Sequence, residues 1–195
     1  INSFKHKIRF VHLSSVAVYG GIKQYFSRNK LISEHSVIKA NDLYSKSKSK
    51  ADLLLQNSYN KNFSYTILRI TNVFGGKKKS NLFKFLRFSL KFGFWIKCYN
   101  DVMFNFVNVR DVSQAVILTL SKLEVSKNKI YIVSDDCKQF QIYKNYENVY
   151  KKKLSIIQMP IKIIKFLIYY LYLPKKIINF ISIISTRVSY NNKKI

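Results

Sequence analysis

Short apolar runs alternate with longer stretches in which apolar residues recur every three to four positions. "IRFVHL" (8–13), "YTILRI" (65–70) and "KIYIVS" (129–134) are continuous, β-branched-rich runs bounded by polar residues, the pattern of strands buried on both faces. Between them, 41–59 reads as a helix. Asn41 or Asp42 can cap it, and Ala51, Leu54, Leu55 and Ser58 form an i, i+3, i+4, i+7 stripe expected to face the core. "NLFKFLRFSLKF" from Asn81 and "RDVSQAVILTLSKL" from Arg110 have the same period, and Asp111 sits where a carboxylate favours the positive end of a helix. The stretch 92–109 predicts a short strand, a turn and a second strand. A helix is expected over 139–150, a strand over 154–159, and helical or interfacial material after Pro160. The segments 14–40 and 71–80 read as loops. Strands alternating with helices predict an α/β fold with a parallel sheet. Ligands of such sheets bind beyond the carboxyl ends of the strands, where Ser14 and Ser15 follow one run and Thr71 and Asn72 another.

Composition changes this picture little. At 195 residues and 48% hydrophobic the chain can bury a sizeable core. The formal net charge of +26 is spread along the whole chain, with short runs at 77–79 and 151–153, beside abundant Ile, Asn, Phe and Tyr. That distribution reads as compositional bias with some attraction for anionic ligands rather than as a nucleic-acid-binding arm. Cys98 and Cys137 have no metal-ligand or disulfide spacing, so no metal is expected and a reducing, cytoplasmic setting is. "IKIIKFLIYYLYL" from Ile161 is interrupted by lysines and falls short of a bilayer span, though its lysines and aromatics suit peripheral membrane contact. The chain opens on Ile1 and runs directly into a strand, which suggests a piece of a longer protein.

Four tyrosines have a lysine four residues on: Tyr19 with Lys23, Tyr44 with Lys48, Tyr172 with Lys176 and Tyr190 with Lys194. The spacing joins two side chains only on one face of a helix. Gly20 and Gly21, Pro174 and the chain end disfavour a helix at three of them, leaving Tyr44 and Lys48.

Taken in order, "FVHLSSVAVYG" (10–20), "YSKSK" (44–48), "LRITNVFG" (68–75), "FVNVRDVSQAV" (106–116) and "YIVSDD" (131–136) resemble the extended short-chain dehydrogenase/reductase family, and most of all its nucleotide-sugar epimerase/dehydratase branch. The resemblance implies the C-terminal part of a Rossmann-like doubly wound parallel sheet plus a small α/β substrate-binding region. Residues 1–80 would belong to the cofactor-binding part, with 106–123 returning to it, and 81–105 with 124–195 would mainly bind substrate. It implies Tyr44 as catalytic acid/base, with Lys48 holding the nicotinamide ribose; a cation beside a phenol favours its ionised form. Ser15 would hydrogen-bond the reacting sugar oxygen, Ile70 would lie where the backbone passes the nicotinamide, and Asn72, Asn81 and Leu82 would approach the nucleotide-sugar. Asp111 matches a structural aspartate. The implied cofactor is NAD, with NADP as the alternative, and the implied substrate a UDP-sugar; a homodimer is the usual assembly.

The resemblance also narrows the reaction. Family 4,6-dehydratases carry an Asp-Glu pair after the catalytic Ser/Thr, and sugar-acid decarboxylases a Glu two places after it. Val16 and Ala17 stand there and can move no proton. A 4-epimerase acting through a 4-keto sugar, for surface-polysaccharide precursors, is therefore expected, with a 4-keto reductase as the alternative. Outside enzyme chemistry stand an inactive truncated remnant and a basic membrane- or nucleic-acid-binding module. The chain departs from the family pattern at Gly76, where a proline is common, and at Phe104, where an arginine grips the diphosphate. It also lacks the glycine-rich turn that cradles the dinucleotide.

Overall fold

The computed structural model describes residues 6–20, 30–76, 81–98, 102–160, 163, 166, 170 and 185–191, with only the backbone at 81–83 and 85. In chain order the elements are β1 (Ile8–Ser15), a 3-10 helix (Val16–Tyr19), β2 (Lys30–Ile32), α1 (Leu43–Ser58), β3 (Phe63–Ile70), β4 (Asn72–Phe74), α2 (Asn81–Lys91), β5 (Phe94–Lys97) and β6 (Met103–Asn108). They continue with α3 (Val109–Ser121), α4 (Leu123–Ser126), β7 (Lys129–Val133), β8 (Asp135–Lys138), α5 (Gln139–Tyr150), β9 (Ser155–Gln158) and β10 (Val188–Tyr190).

β1, β3 and β7 form a parallel sheet in that order, Ser15 opposite Ile70 and Ile70 opposite Val133. Successive side chains of a strand point to opposite faces, and both faces are covered. Phe63, Tyr65 and Ile67 pack with Leu55 of α1; Leu68, Ile70, Tyr131 and Val133 pack with Val112 and Ala115 of α3. This is why β3 reads as an unbroken apolar run. Residues 129–133, in a stretch expected to be mainly substrate-binding, form the third strand of this sheet. Pairing between segments about 60 residues apart is invisible to local pattern.

A second unit contains the three-stranded sheet β4-β6-β8 and the parallel pair β5-β9, with Leu86, Trp95, Val102, Phe104, Tyr143 and Leu154 as its core. Within it Phe104 is 1% exposed, so the position aligned with a diphosphate-gripping arginine holds a core aromatic. β2, β4 and β8 lie in stretches read as loops or left unassigned; each has three or four residues and exists through its partner strand. Among the described residues, Ile163, Phe166 and Tyr170 are helical and exposed, and no helix is long and apolar enough to cross a membrane.

Of the expected stripe on α1, Ala51, Leu55 and Ser58 are half-buried and Leu54 is not. Leu54 is 67% exposed, while Ser45 and Asp52 are fully buried. Asp52 is buried against Arg69 and His12 of the sheet, and Ser45 within the cap of its own helix.

Candidate active site

Asp42 starts α1. Its Oδ1 accepts from the Ser45 amide at 2.8 Å, and Ser45 Oγ accepts from the Asp42 amide at 3.1 Å, a reciprocal cap that satisfies the first free N–H groups of the helix. Tyr44 and Lys48 follow in the first two turns, and α1 packs on β1 and on the 3-10 helix. Lys48 Nζ donates to the Leu13 carbonyl at 2.8 Å, two residues before Ser15. The ammonium is thereby held at the carboxyl end of β1 with further donors to spare. Tyr44 is 56% exposed and open to a ligand. Of the other three Tyr/Lys pairs, Tyr19 is buried in the 3-10 helix and Tyr190 lies in β10; Tyr172, Lys23, Lys176 and Lys194 are outside the described residues.

Ser15 ends β1 and caps the 3-10 helix, its Oγ accepting from the Ala17 amide at 3.2 Å. That bond uses a lone pair and leaves the hydroxyl proton for another acceptor. Val16 and Ala17 continue into the 3-10 helix and bring no titratable group beside Ser15. Ile70 ends β3 next to Ser15 in register, so the structure joins these two chain segments at one sheet end. Asn72 is exposed on β4, its Nδ2 donating to the Asn105 carbonyl at 3.0 Å. Asn81 and Leu82 open α2, with their side chains outside the described set. Asp111 lies in the first turn of α3, exposed, and Asn108 caps that helix through the Arg110 amide at 2.9 Å.

Beneath these residues lies a polar cluster that the sequence analysis passes over. Arg69, 1% exposed, donates from Nε to Asp52 Oδ2 at 3.0 Å and from one terminal nitrogen to Tyr19 Oη at 2.6 Å and the Glu34 carbonyl at 3.3 Å. Its guanidinium also lies 4.9 Å from the centre of the Tyr19 ring. His12 Nε2 stands 3.6 Å from Asp52 Oδ1. Burial holds the His12 ring below its ordinary pKa, outweighing the opposing pull of Asp52, and Lys48 pushes the same way as burial. The signal was present in the sequence as an arginine inside the apolar run "YTILRI" and an aspartate inside "KADLLL".

A cleft of about 480 Å³ opens at the other end of the sheet, lined by Lys7, Arg9, Tyr59 and Asn128 among others, and includes neither Ser15 nor Tyr44. At the carboxyl end the structure places Ser15, Ile70 and the Lys48 ammonium. Among the described residues no cluster of His, Cys, Asp or Glu could hold a metal ion.

Residues 2–134 match the profile of the NAD dependent epimerase/dehydratase family, and the chain belongs to that family. Among solved structures it is similar to UDP-glucuronic acid 4-epimerase from Bacillus cereus in complex with NAD, at 16% identity and a TM-score of 0.60, over 78% of this chain and 49% of that one. UDP-N-acetylglucosamine 4-epimerase from Methanobrevibacter ruminantium M1 aligns at 19% identity and a TM-score of 0.58, covering 78% and 50%. dTDP-glucose 4,6-dehydratase from Bacillus anthracis aligns at 17% identity and 0.57, covering 78% and 50%. At these identities the likeness concerns the fold, and the chain spans about half the length of these structures. Comparison with curated proteins by sequence gives no significant match.

Proposed function

We propose that this chain carries the acid/base half of an NAD-dependent nucleotide-sugar 4-epimerase that works through a transient 4-keto sugar. The observation that supports the reading is the hydrogen bond from Lys48, one turn after Tyr44, to the Leu13 carbonyl two residues before Ser15. A phenol and an ammonium one turn apart, with spare donors, fit the ribose diol at the nicotinamide end of a dinucleotide. The chain's five glycines include no turn for the diphosphate, so the fit concerns that end alone. When bound, NAD supplies the hydride acceptor and donor. Tyr44 takes the proton of the sugar hydroxyl and returns it when the ketone is reduced on its other face. Ser15 donates a hydrogen bond to the same oxygen, and Lys48 brings a positive charge one helical turn from the phenol. Val16 and Ala17 offer no second acid or base for dehydration, which supports epimerisation over elimination.

The UDP-sugar class proposed for this chain is the one that the names of the two similar epimerases specify for those proteins. The test is chromatographic interconversion of UDP-glucose and UDP-galactose, and of their N-acetyl forms, with added NAD. Tyr44→Phe is expected to lower turnover about 10²- to 10⁴-fold, the usual contribution of a positioned acid/base. Interconversion that survives Tyr44→Phe would refute the assignment. Oxidation of reduced nicotinamide that depends on an added nucleotide 4-keto sugar, without interconversion of the UDP-sugars, would move the reading to a 4-keto reductase. Saturating NAD at 100 times its Kd should also raise stability by about 2.7 kcal/mol.

A further inference from the structure

Arg69 is the largest of the fully buried side chains among the described residues. A buried charge must be paired and hydrogen-bonded, and an ion pair of this kind is often no better for stability than apolar residues of the same volume. Its value here lies in where its partners sit. Asp52 is one turn beyond Lys48 on α1. Tyr19 is four residues beyond Ser15, in the 3-10 helix that Ser15 caps. Arg69 itself precedes Ile70, the register partner of Ser15. Arg69 therefore joins α1, which bears Tyr44 and Lys48, to the 3-10 helix that Ser15 caps, with a further bond to the Glu34 carbonyl.

We infer that Asp52, Arg69 and Tyr19 are positioning residues: their buried linkage sets the rotation of α1 so that Lys48 meets the Leu13 carbonyl and Tyr44 faces the oxygen held by Ser15. The inference rests on the 4-epimerase reading for its catalytic consequence and on the structure alone for its geometry. A displacement of about 1 Å at a reacting group can cost on the order of 100-fold in rate.

The test compares Tyr19→Phe and Asp52→Asn with Thr66→Val. Thr66 is equally buried, but its Oγ donates to the Ser126 carbonyl on the α3 side of the sheet. With NAD and the UDP-sugar, the first two variants are expected to lose about ten-fold or more in kcat with KM within two-fold, while Thr66→Val keeps its kcat. Folded Tyr19→Phe with parental kcat overturns the inference, and that variant, which keeps its packed ring, decides the matter if Asp52→Asn does not fold.

If the parent chain interconverts no sugar, the epimerase reading fails and the geometry is read from the ¹⁵N spectrum of the lysine ammonium groups. The Lys48 signal, assigned by its loss in Lys48→Met, should move or vanish in Tyr19→Phe and persist in Thr66→Val. A Lys48 signal unchanged in Tyr19→Phe overturns the inference independently of activity.

Discussion

His12 carries the clearest pH consequence among single residues. Its folded pKa lies below the ordinary 6.5 because burial opposes the charged ring more than Asp52 favours it. As pH falls through about 6.5 the unfolded chain therefore takes up a proton that the folded chain refuses. The contribution is absent above that range and grows as pH falls toward the folded value. Melting temperature is expected to drop between pH 7.5 and 5.5 by more in the parent than in His12→Gln, as scanning calorimetry at each pH would show. Equal slopes would place the ring in contact with solvent. Lys48 works with burial here, so the residue that completes the candidate site also helps keep the histidine beneath it neutral.

At the scale of elements, α1 depends on its first turn. The Asp42–Ser45 cap satisfies amides that no earlier turn can reach, so Asp42→Ala is expected to cost about 1 kcal/mol in urea unfolding. Ordinary surface variants such as Lys50→Ala should cost less than about 0.5 kcal/mol. The β4–α3 junction has a different weak point. Gly75 has φ +92, and a Cβ there would lie 3.0 Å from Asn108 Oδ1, the atom that caps α3. Gly75→Ala should destabilise by about 1–2 kcal/mol, both from left-handed strain and from disturbing that cap. A double-mutant cycle with Asn108→Ala measures the second part, and simple additivity would mean that strain alone is responsible.

The whole molecule is strongly basic, and its charge reaches far beyond the candidate site. Lysines along the entire chain raise the local concentration of any polyanion without selecting among sequences. An oligonucleotide is therefore expected to bind weakly at low salt and to lose affinity steeply between about 50 and 200 mM salt. Two unrelated single strands should behave alike in fluorescence anisotropy, and a preference for one of them would revive the nucleic-acid reading. The parallel sheet and its helices hold Ser15, Ile70, Tyr44 and Lys48. The second unit carries Asn72 on a short strand and buries Phe104 in its core.

Much of this was legible locally. Continuous apolar runs marked β1, β3 and β7, although β1 leaves Phe10 and Leu13 exposed, and of Asn41 and Asp42, both able to cap α1, the structure uses Asp42. Tyr44 separated from its three rivals because glycine, proline and a chain end disfavour the helix that the i+4 spacing requires. The tertiary structure decided the rest. The three- and four-residue strands β2, β4 and β8 draw their hydrogen bonds from distant partners and leave little periodicity to read. The buried face of α1 turned on Asp52 rather than Leu54, because the nearby sheet surface presents Arg69 and His12, and a paired charge can occupy a position that pattern assigns to a leucine. Which residues share a face of one element is a local property; which elements face each other, and hence which charges find partners, depends on the folded chain.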